Sequence, residues 1–227
     1  MQSRRQHRTP PGPKPSLTQD EIIDEALRLL TAEGPENLSL RRLGSRLGVT
    51  ARTLYGYFSS KDALEAALVT RVMPAPPPID SGEPWHTQLR TYLLQIHDAF
   101  VDQPGAARLF AARSARSTAM DRVREHLLTL LVTAGLRNDD AIAAVGTLSR
   151  YLIGSVVIEA ERRAPTQEAE TGRFAGLSAD EFPVLSHFAD EYAARNSYES
   201  THYGLDLILL ALRNLAERET GAPAALP

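Results

Sequence analysis

Two glycines set four residues apart among leucines constrain this chain more than any other feature. In residues 40–58, Gly44 is followed by Gly48, and Leu43, Leu47, Val49 and Leu54 surround them at helical spacing. Two short helices cross tightly only where one of them presents a residue without a side chain. The turn between them favours a positive φ, which glycine adopts at little cost. Gly44 meets the first requirement and Gly48 the second. The spacing predicts a helix-turn-helix with helices over 39–47 and 50–57.

The second helix of such a pair lies in the DNA major groove with its N-terminal residues toward the base edges. Here that face offers Thr50, Ala51, Arg52, Thr53, Tyr55, Gly56 and Tyr57. Arg52 suits a bidentate contact to guanine, and the methyls of Ala51 and Thr53 suit a thymine methyl. Tyr55 and Tyr57 are placed to donate to phosphates, and Ser39, Arg41 and Lys61 stand at helix starts flanking the groove. Residues 37–62 hold five Lys+Arg (41, 42, 46, 52, 61) and one acid, Asp62. Glycine turns also occur in ordinary helical hairpins. The residues by themselves therefore leave open a helical small-molecule-binding or scaffold protein with a vestigial helix-turn-helix, and a general DNA-coating protein.

The rest of the chain reads as helices and turns. Residues 1–17 are Pro-rich and basic with no acid, the composition of a disordered arm. Thr18 and Glu21 form a capping-box pattern, and Ile22, Ile23, Ala26, Leu27, Leu29 and Leu30 then follow helical spacing to Glu33, where Gly34-Pro35 stops the helix. Ser59 reads as the cap of a fourth helix running to about residue 73. Pro74, Pro76, Pro77 and Pro78 cannot continue it, so the junction between two domains falls there. Further helices are expected over 85–101, 106–114, 120–134, 139–162, 183–194 and 202–218, with a loop at 164–180. No strand pattern appears and the fold class is all-α. The expected division is a basic arm (1–17), a three-helix helix-turn-helix DNA-binding domain with its linking helix (18–73), a larger helical ligand-binding and dimerisation domain (80–219) and a disordered tail (220–227). Residues 1–73 hold 11 Lys+Arg and 8 Asp+Glu, a charge of 11 − 8 = +3. The remainder holds 14 and 20, or 14 − 20 = −6. Opposite signs suit a first part that meets a polyanion and a second that does not.

Several function classes drop out. The chain has no cysteine, which rules out a disulfide, a thiolate metal site and a cysteine nucleophile. The six histidines (7, 86, 97, 126, 187, 202) lack the i, i+4 spacing of paired ligands on a zinc helix. There is no nucleophile-elbow, phosphate-loop or dinucleotide motif. The expectation is no enzyme, no catalytic residue, no metal and no cofactor. No uninterrupted apolar run reaches about 18 residues, and the basic start leads into prolines and not into an apolar segment. A cytoplasmic protein without a membrane partner is expected.

The capped first helix, the run Leu38-Ser-Leu-Arg-Arg-Leu-Gly-Ser-Arg-Leu-Gly-Val49 and the run Thr53-Leu-Tyr-Gly-Tyr-Phe-Ser-Ser-Lys-Asp-Ala-Leu64 together resemble the DNA-binding domain of TetR-family transcriptional regulators. The resemblance covers residues 18–68. It implies a homodimer that represses from a palindromic double-stranded operator and is released by a small-molecule effector. Positions matching Ser39, Arg41, Ala51, Arg52, Thr53, Tyr55, Gly56 and Lys61 would approach the DNA. Residues 81–86, 151–159 and 203–212 further resemble the C-terminal domain of the tetracycline-repressor branch. This implies a dimer built through 139–162 and 202–218. Counted from the shared Trp85 without gaps, the drug-contacting asparagine, the stacking phenylalanine and the metal-ligating histidine of that branch fall on Tyr92, Ile96 and Phe110. These do not suit a metal–tetracycline chelate. The expected effector pocket is apolar, with Trp85, Tyr92, Ile96, Phe100, Phe110 and Tyr151 as its lining and His97, Arg113 and His187 as polar fixtures.

Overall fold

The computed structural model describes residues 17–113, 117–162, 176–194 and 197–219. The basic arm up to residue 16, most of the expected loop at 164–180 and the tail from 220 lie outside the described residues. Within them the fold is all-α: α1 (Gln19–Glu33), a 3-10 turn (Pro35–Asn37), α2 (Leu40–Leu47), α3 (Ala51–Tyr55), α4 (Lys61–Val72), α5 (Trp85–Val101), α6 (Pro104–Arg113), α7 (Thr118–Thr133), α8 (Asn138–Arg162), α9 (Pro183–His187), α10 (Ala189–Ala194) and α11 (Ser197–Glu219).

The first four helices start where their caps dictate. The Thr18 hydroxyl accepts the Glu21 amide at 3.2 Å while the Glu21 carboxylate accepts the Thr18 amide at 2.7 Å. Two of the amides that a helix start leaves without partners are thereby satisfied. At α2 and α3 the cap is one-sided, the Ser39 hydroxyl accepting the Arg42 amide and the Thr50 hydroxyl the Thr53 amide. Ser60, not Ser59, caps α4, because its hydroxyl accepts the Ala63 amide at 3.1 Å and a cap must stand immediately before the first helical residue. α3 ends two residues earlier than the expected 57, since the amides of Tyr57 and Phe58 both fold back on the Leu54 carbonyl.

The crossing of α2 and α3 rests on the two glycines. A Cβ on Gly44 would stand 2.8 Å from the Val49 carbonyl oxygen, so no larger residue fits without moving backbone. Gly48 closes α2 at φ 68°, in the left-handed region. The wedge Leu43, Leu54 and Phe58 is buried against Ile22, Ala26 and Leu29 of α1 and Leu64 and Leu68 of α4. Each such side chain contributes about 1.5–3 kcal/mol.

Beyond α4 the prolines extend the chain, and Gln88 fastens the loop behind them. Its side-chain amide donates to the carbonyls of Asp80 (2.6 Å) and Glu83 (2.7 Å), and its oxygen accepts the Asp80 amide (2.9 Å). α6 begins two residues before the expected 106, with Pro104 in its first turn, where a missing N–H has no helical acceptor to lose. The expected helix 183–194 breaks at Phe188 into α9 and α10, and α11 starts five residues earlier than 202. α8 is the central strut, packed against α5, α6, α7 and α11. By length and composition it is the one described helix apolar enough to cross a membrane. Arg150 and scattered Gly, Ser and Thr residues kept it from reading as a continuous apolar run. α6 joins the two halves: it packs on α1 and α4 on one side and on α5 and α8 on the other. The joint is close, since a Cβ on Gly105 would lie 2.6 Å from the Leu30 carbonyl carbon.

Candidate DNA interface and effector pocket

Capping and packing decide which side chains the helix pair leaves facing outward. Leu54 of α3 is buried and Ala51 is half-buried against the core. Arg52, Thr53, Tyr55, Gly56 and Tyr57 are exposed, Tyr55 at 57% and Tyr57 at 37%. The hydroxyls of Ser39 and Thr50 serve as caps, and Thr50 shares a further hydrogen bond with the Thr53 hydroxyl at 3.0 Å. Tyr57 sends its hydroxyl back to the Leu17 carbonyl, across 40 positions of sequence. Lys61 opens α4 with its Nζ 3.5 Å from the Glu65 carboxylate one turn on.

Ion pairs divide the basic residues into two groups. Arg42 pairs with Glu33. Arg46 pairs with Glu25 (2.5 Å) and Glu33 (3.3 Å), and Arg71 with Asp20 (2.6 Å) and Asp24 (3.0 Å). These three guanidiniums tie α2 and α4 to α1. The Arg46 side chain, by its hydrogen bond, holds the Glu25 carboxyl below its ordinary range, and Glu25 in turn raises the Arg46 guanidinium. Arg41 and Arg52 are exposed and have no ion-pair partner among the described residues. Two cations therefore stand uncommitted on the helix pair while their neighbours are occupied.

The C-terminal half gathers most of the expected pocket residues into a packed core. Tyr92, Ile96, His97 and Phe100 of α5 and Phe110 of α6 are at most 1% exposed. Phe100 stacks on Phe110 with ring centroids 4.3 Å apart. Burial pushes the Tyr92 phenol up to about 12, and its hydroxyl donates to the Pro74 carbonyl at 3.2 Å, just past the end of α4. His97 stands 3.1 Å from the Asp98 carboxylate through Nδ1 and 3.2 Å from that of Glu159 in α8 through Nε2. Trp85 is half-buried at the start of α5. Tyr151 donates to the Thr201 carbonyl at 2.8 Å, joining α8 to α11. His187 is exposed on α9, its ring T-shaped to that of Phe188. The side chain of Arg113 lies outside the described residues.

Two features escaped the sequence reading, and a third was expected from it. His126 of α7 sits edge-on to Tyr92 (centroids 5.0 Å), with its Nε2 buried and without a hydrogen-bond partner among the described residues. Burial lowers its pKa and keeps it neutral. A groove of about 480 Å³ runs between α7 and α8, with Met120, Leu128, Ile142, Val145, Arg150 and Ile153 among its lining residues. Tyr203, Leu207 and Leu210 of α11 are about half exposed, at the spacing of one helix face. This last feature is the expected one: the apolar pattern of 202–218 is too broad for one buried stripe.

The chain is similar to known proteins over almost its whole length. The family described as "Bacterial regulatory proteins, tetR family" matches residues 22–68, and "Tetracyclin repressor-like, C-terminal domain" matches residues 77–215. An HTH-type transcriptional regulator of Saccharopolyspora erythraea is 34% identical over 179 residues, 76% of this chain and 75% of the relative. An HTH-type transcriptional repressor of Streptomyces coeruleorubidus is 28% identical over 94% of this chain and 83% of its own length. The crystal structure of the Streptomyces coelicolor protein ActR in complex with actinorhodin superposes with a TM-score of 0.75 at 26% identity, covering 88% of this chain and 98% of that one.

Proposed function

Since the chain belongs to the TetR family of bacterial regulatory proteins, we propose that it is a repressor, not an enzyme, that binds a palindromic operator as a homodimer and lets go when a small molecule enters its C-terminal half. The observation that carries this reading is the division of the arginines: Arg41 and Arg52 are exposed and have no ion-pair partner among the described residues, where Arg42, Arg46 and Arg71 are neutralised. An unpaired guanidinium on a folded surface is worth little to stability but much to a phosphate or a guanine edge. Arg52 at the start of α3 reads a base pair. Arg41, Lys61, Tyr55 and the cap residues Ser39 and Thr50 fix register against the backbone, and Ala51, Thr53 and Gly56 make the close surface. Residues 18–73 act as the DNA-binding unit and 80–219 as the effector-binding and dimerising unit.

The second copy is read from α8 and α11. Tyr203, Leu207 and Leu210 are exposed apolar residues on one face of α11, and the groove beside α8 offers apolar walls to such a face. Two recognition helices on that dimer must stand about 34–36 Å apart to reach successive major grooves. The effector unit can change that spacing through α6, whose Gly105 lies on Leu30 of α1 and which also packs on α4. The effector class is apolar with few polar groups, as the core of Tyr92, Ile96, Phe100 and Phe110 with His97 implies. Trp85, Tyr151, Arg113 and His187 are the outer positions of the same reading. ActR was solved with actinorhodin, so actinorhodin is one of the compounds to test first.

Selection of bound duplexes from a random pool tests the reading. The expected result is an inverted repeat, bound by a species of dimer mass that Leu207→Glu with Leu210→Glu converts to monomer. Binding without sequence preference would favour a DNA-coating role. Absence of binding together with retained small-molecule binding would favour the scaffold with a vestigial helix-turn-helix.

A further inference from the structure

Two side chains of α5 fasten the segment that joins the halves. Gln88 and Tyr92 stand four residues apart, on one face of the helix, and both are buried. Tyr92 donates to the carbonyl of Pro74, the first residue past the α4 cap Met73. Gln88 donates to the carbonyls of Asp80 and Glu83 and accepts the Asp80 amide. The Asp80 carboxylate in turn accepts the Gly82 amide at 2.8 Å, which closes the turn that Gln88 holds. Between the two fastenings stand Pro76, Pro77 and Pro78, each with φ confined near −65°. A run of prolines pinned at both ends has few ways to bend. At its other end α4 begins with Lys61, read above as a contact to the DNA backbone. The same α5 carries Ile96, His97 and Phe100 of the effector core.

We propose that Gln88 and Tyr92 are positioning residues: they clasp segment 74–83 to α5, so that the end of α4 moves with the effector-binding helix. The inference rests on the function proposed above and adds a second connection to the one through α6. The physical reason is that coupling is carried by rigid elements and hydrogen bonds, whereas an unfastened stretch of chain absorbs a displacement. Gln88 is buried, and breaking its bonds leaves a polar side chain unsatisfied, so the clasp resists opening. Fixing the end of α4 also reduces the number of conformations that the DNA-binding unit loses on docking. Because coupling is reciprocal, operator bound at α3 is felt at α5 as the effector is felt at α3.

Amide hydrogen exchange and operator affinity on the full chain decide the matter, with the selected operator duplex as probe. One variant combines Gln88→Met with Tyr92→Phe, which keep bulk and remove the hydrogen-bonding groups. Gln88→Met is also made alone and should show the same changes, smaller, because Tyr92 stays fastened. Val123→Ala, in the buried face of α7, is the control for stability lost elsewhere, and thermal midpoints are recorded for every protein. In the unaltered chain the Asp80 amide should exchange at least about 10-fold more slowly than in an open chain, and the duplex should slow exchange within α5. The double variant should release the Asp80 amide, bind the duplex about 3- to 10-fold more weakly and lose the α5 response. Val123→Ala should keep all three properties. An Asp80 amide that exchanges as fast in the unaltered chain as in the variants would show that there is no clasp and overturn the proposal. So would equal weakening of operator binding by Val123→Ala, unchanged affinity in the double variant, or an α5 response that is absent from the unaltered chain or persists in the double variant. Failure of the unaltered chain to select any duplex, with the Asp80 amide still released by the variants, would instead overturn the DNA-binding reading on which the proposal stands.

Discussion

The two halves of this molecule hold themselves together by different means. In the first half, polar groups near in sequence specify each element. Thr18, Ser39, Thr50 and Ser60 each cap the helix that follows them, and exposed ion pairs tie α2 and α4 to α1. In the second half, groups on different helices specify one another: Phe100 with Phe110, Tyr92 with His126, Tyr151 with the carbonyl of Thr201. A small unit that must keep a charged, wet surface for its partner has few residues to spare for a core and relies on local rules. A larger unit relies on packing. The first half is therefore the more rigidly prescribed and the second the more easily repacked around a new occupant.

The largest expected effect breaks the packed half. Phe110→Ala removes one ring of the stacked pair from a fully buried site and should cost about 3–5 kcal/mol in chemical denaturation. A smaller loss would mean that the space closes up, or that it is already open to an occupant. The next effect breaks the locally prescribed half. Gly44→Ala gains helix propensity of about 1 kcal/mol, yet its methyl group meets the Val49 carbonyl at 2.8 Å. The clash with backbone should prevail, with a net loss of about 1–3 kcal/mol in the unfolding free energy and weaker operator binding. A stabilised protein would show that the α2–α3 crossing is looser than this geometry.

Arg52→Ala should leave the unfolding midpoint unchanged and cost about 1–3 kcal/mol of operator affinity with relaxed preference at one base pair. Arg42→Ala should cost at most about 1 kcal/mol of stability and less affinity than Arg52→Ala. If the two arginines behaved alike in a titration with the operator, the division between paired and unpaired cations would carry no functional meaning. The smallest effect is a pH dependence. Burial lowers the pKa of His126 in the folded state below that of the unfolded chain. The stability it contributes is thus complete above the ordinary histidine value of about 6.5 and is lost as pH falls through the lower folded value. The unfolding midpoint should decline from pH 7 toward 5. His126→Leu should flatten the upper part of that decline, and a persistent slope would assign it to the carboxylates, Glu25 among them.

Legibility followed the same division. The helix-turn-helix could be read because its requirements are short-range: a residue without a side chain at 44, a positive φ at 48, a hydroxyl one position before each helix. The error over Ser59 and Ser60 arose where two equivalent caps stand side by side and only the packing of α4 chooses. The pairing of Arg42 with Glu33 and Arg46 with Glu25 was not legible, nor therefore was their distinction from Arg41 and Arg52, the two arginines proposed to meet DNA. The apolar residues named for the pocket do come together, but as closed core, and His126 and Glu159 joined them without any motif to announce them.

By itself the sequence determined that the chain is helical, where its first four helices begin and end to within two residues, and which family it belongs to, because caps, glycine turns and apolar spacing act over a few residues. The tertiary structure alone decided which cations are spent inside the protein, that Gly105 brings α6 onto α1, and that the Tyr57 hydroxyl meets the Leu17 carbonyl. Each of these depends on two side chains or backbones meeting across long stretches of chain, and spacing along a sequence carries no record of such a meeting.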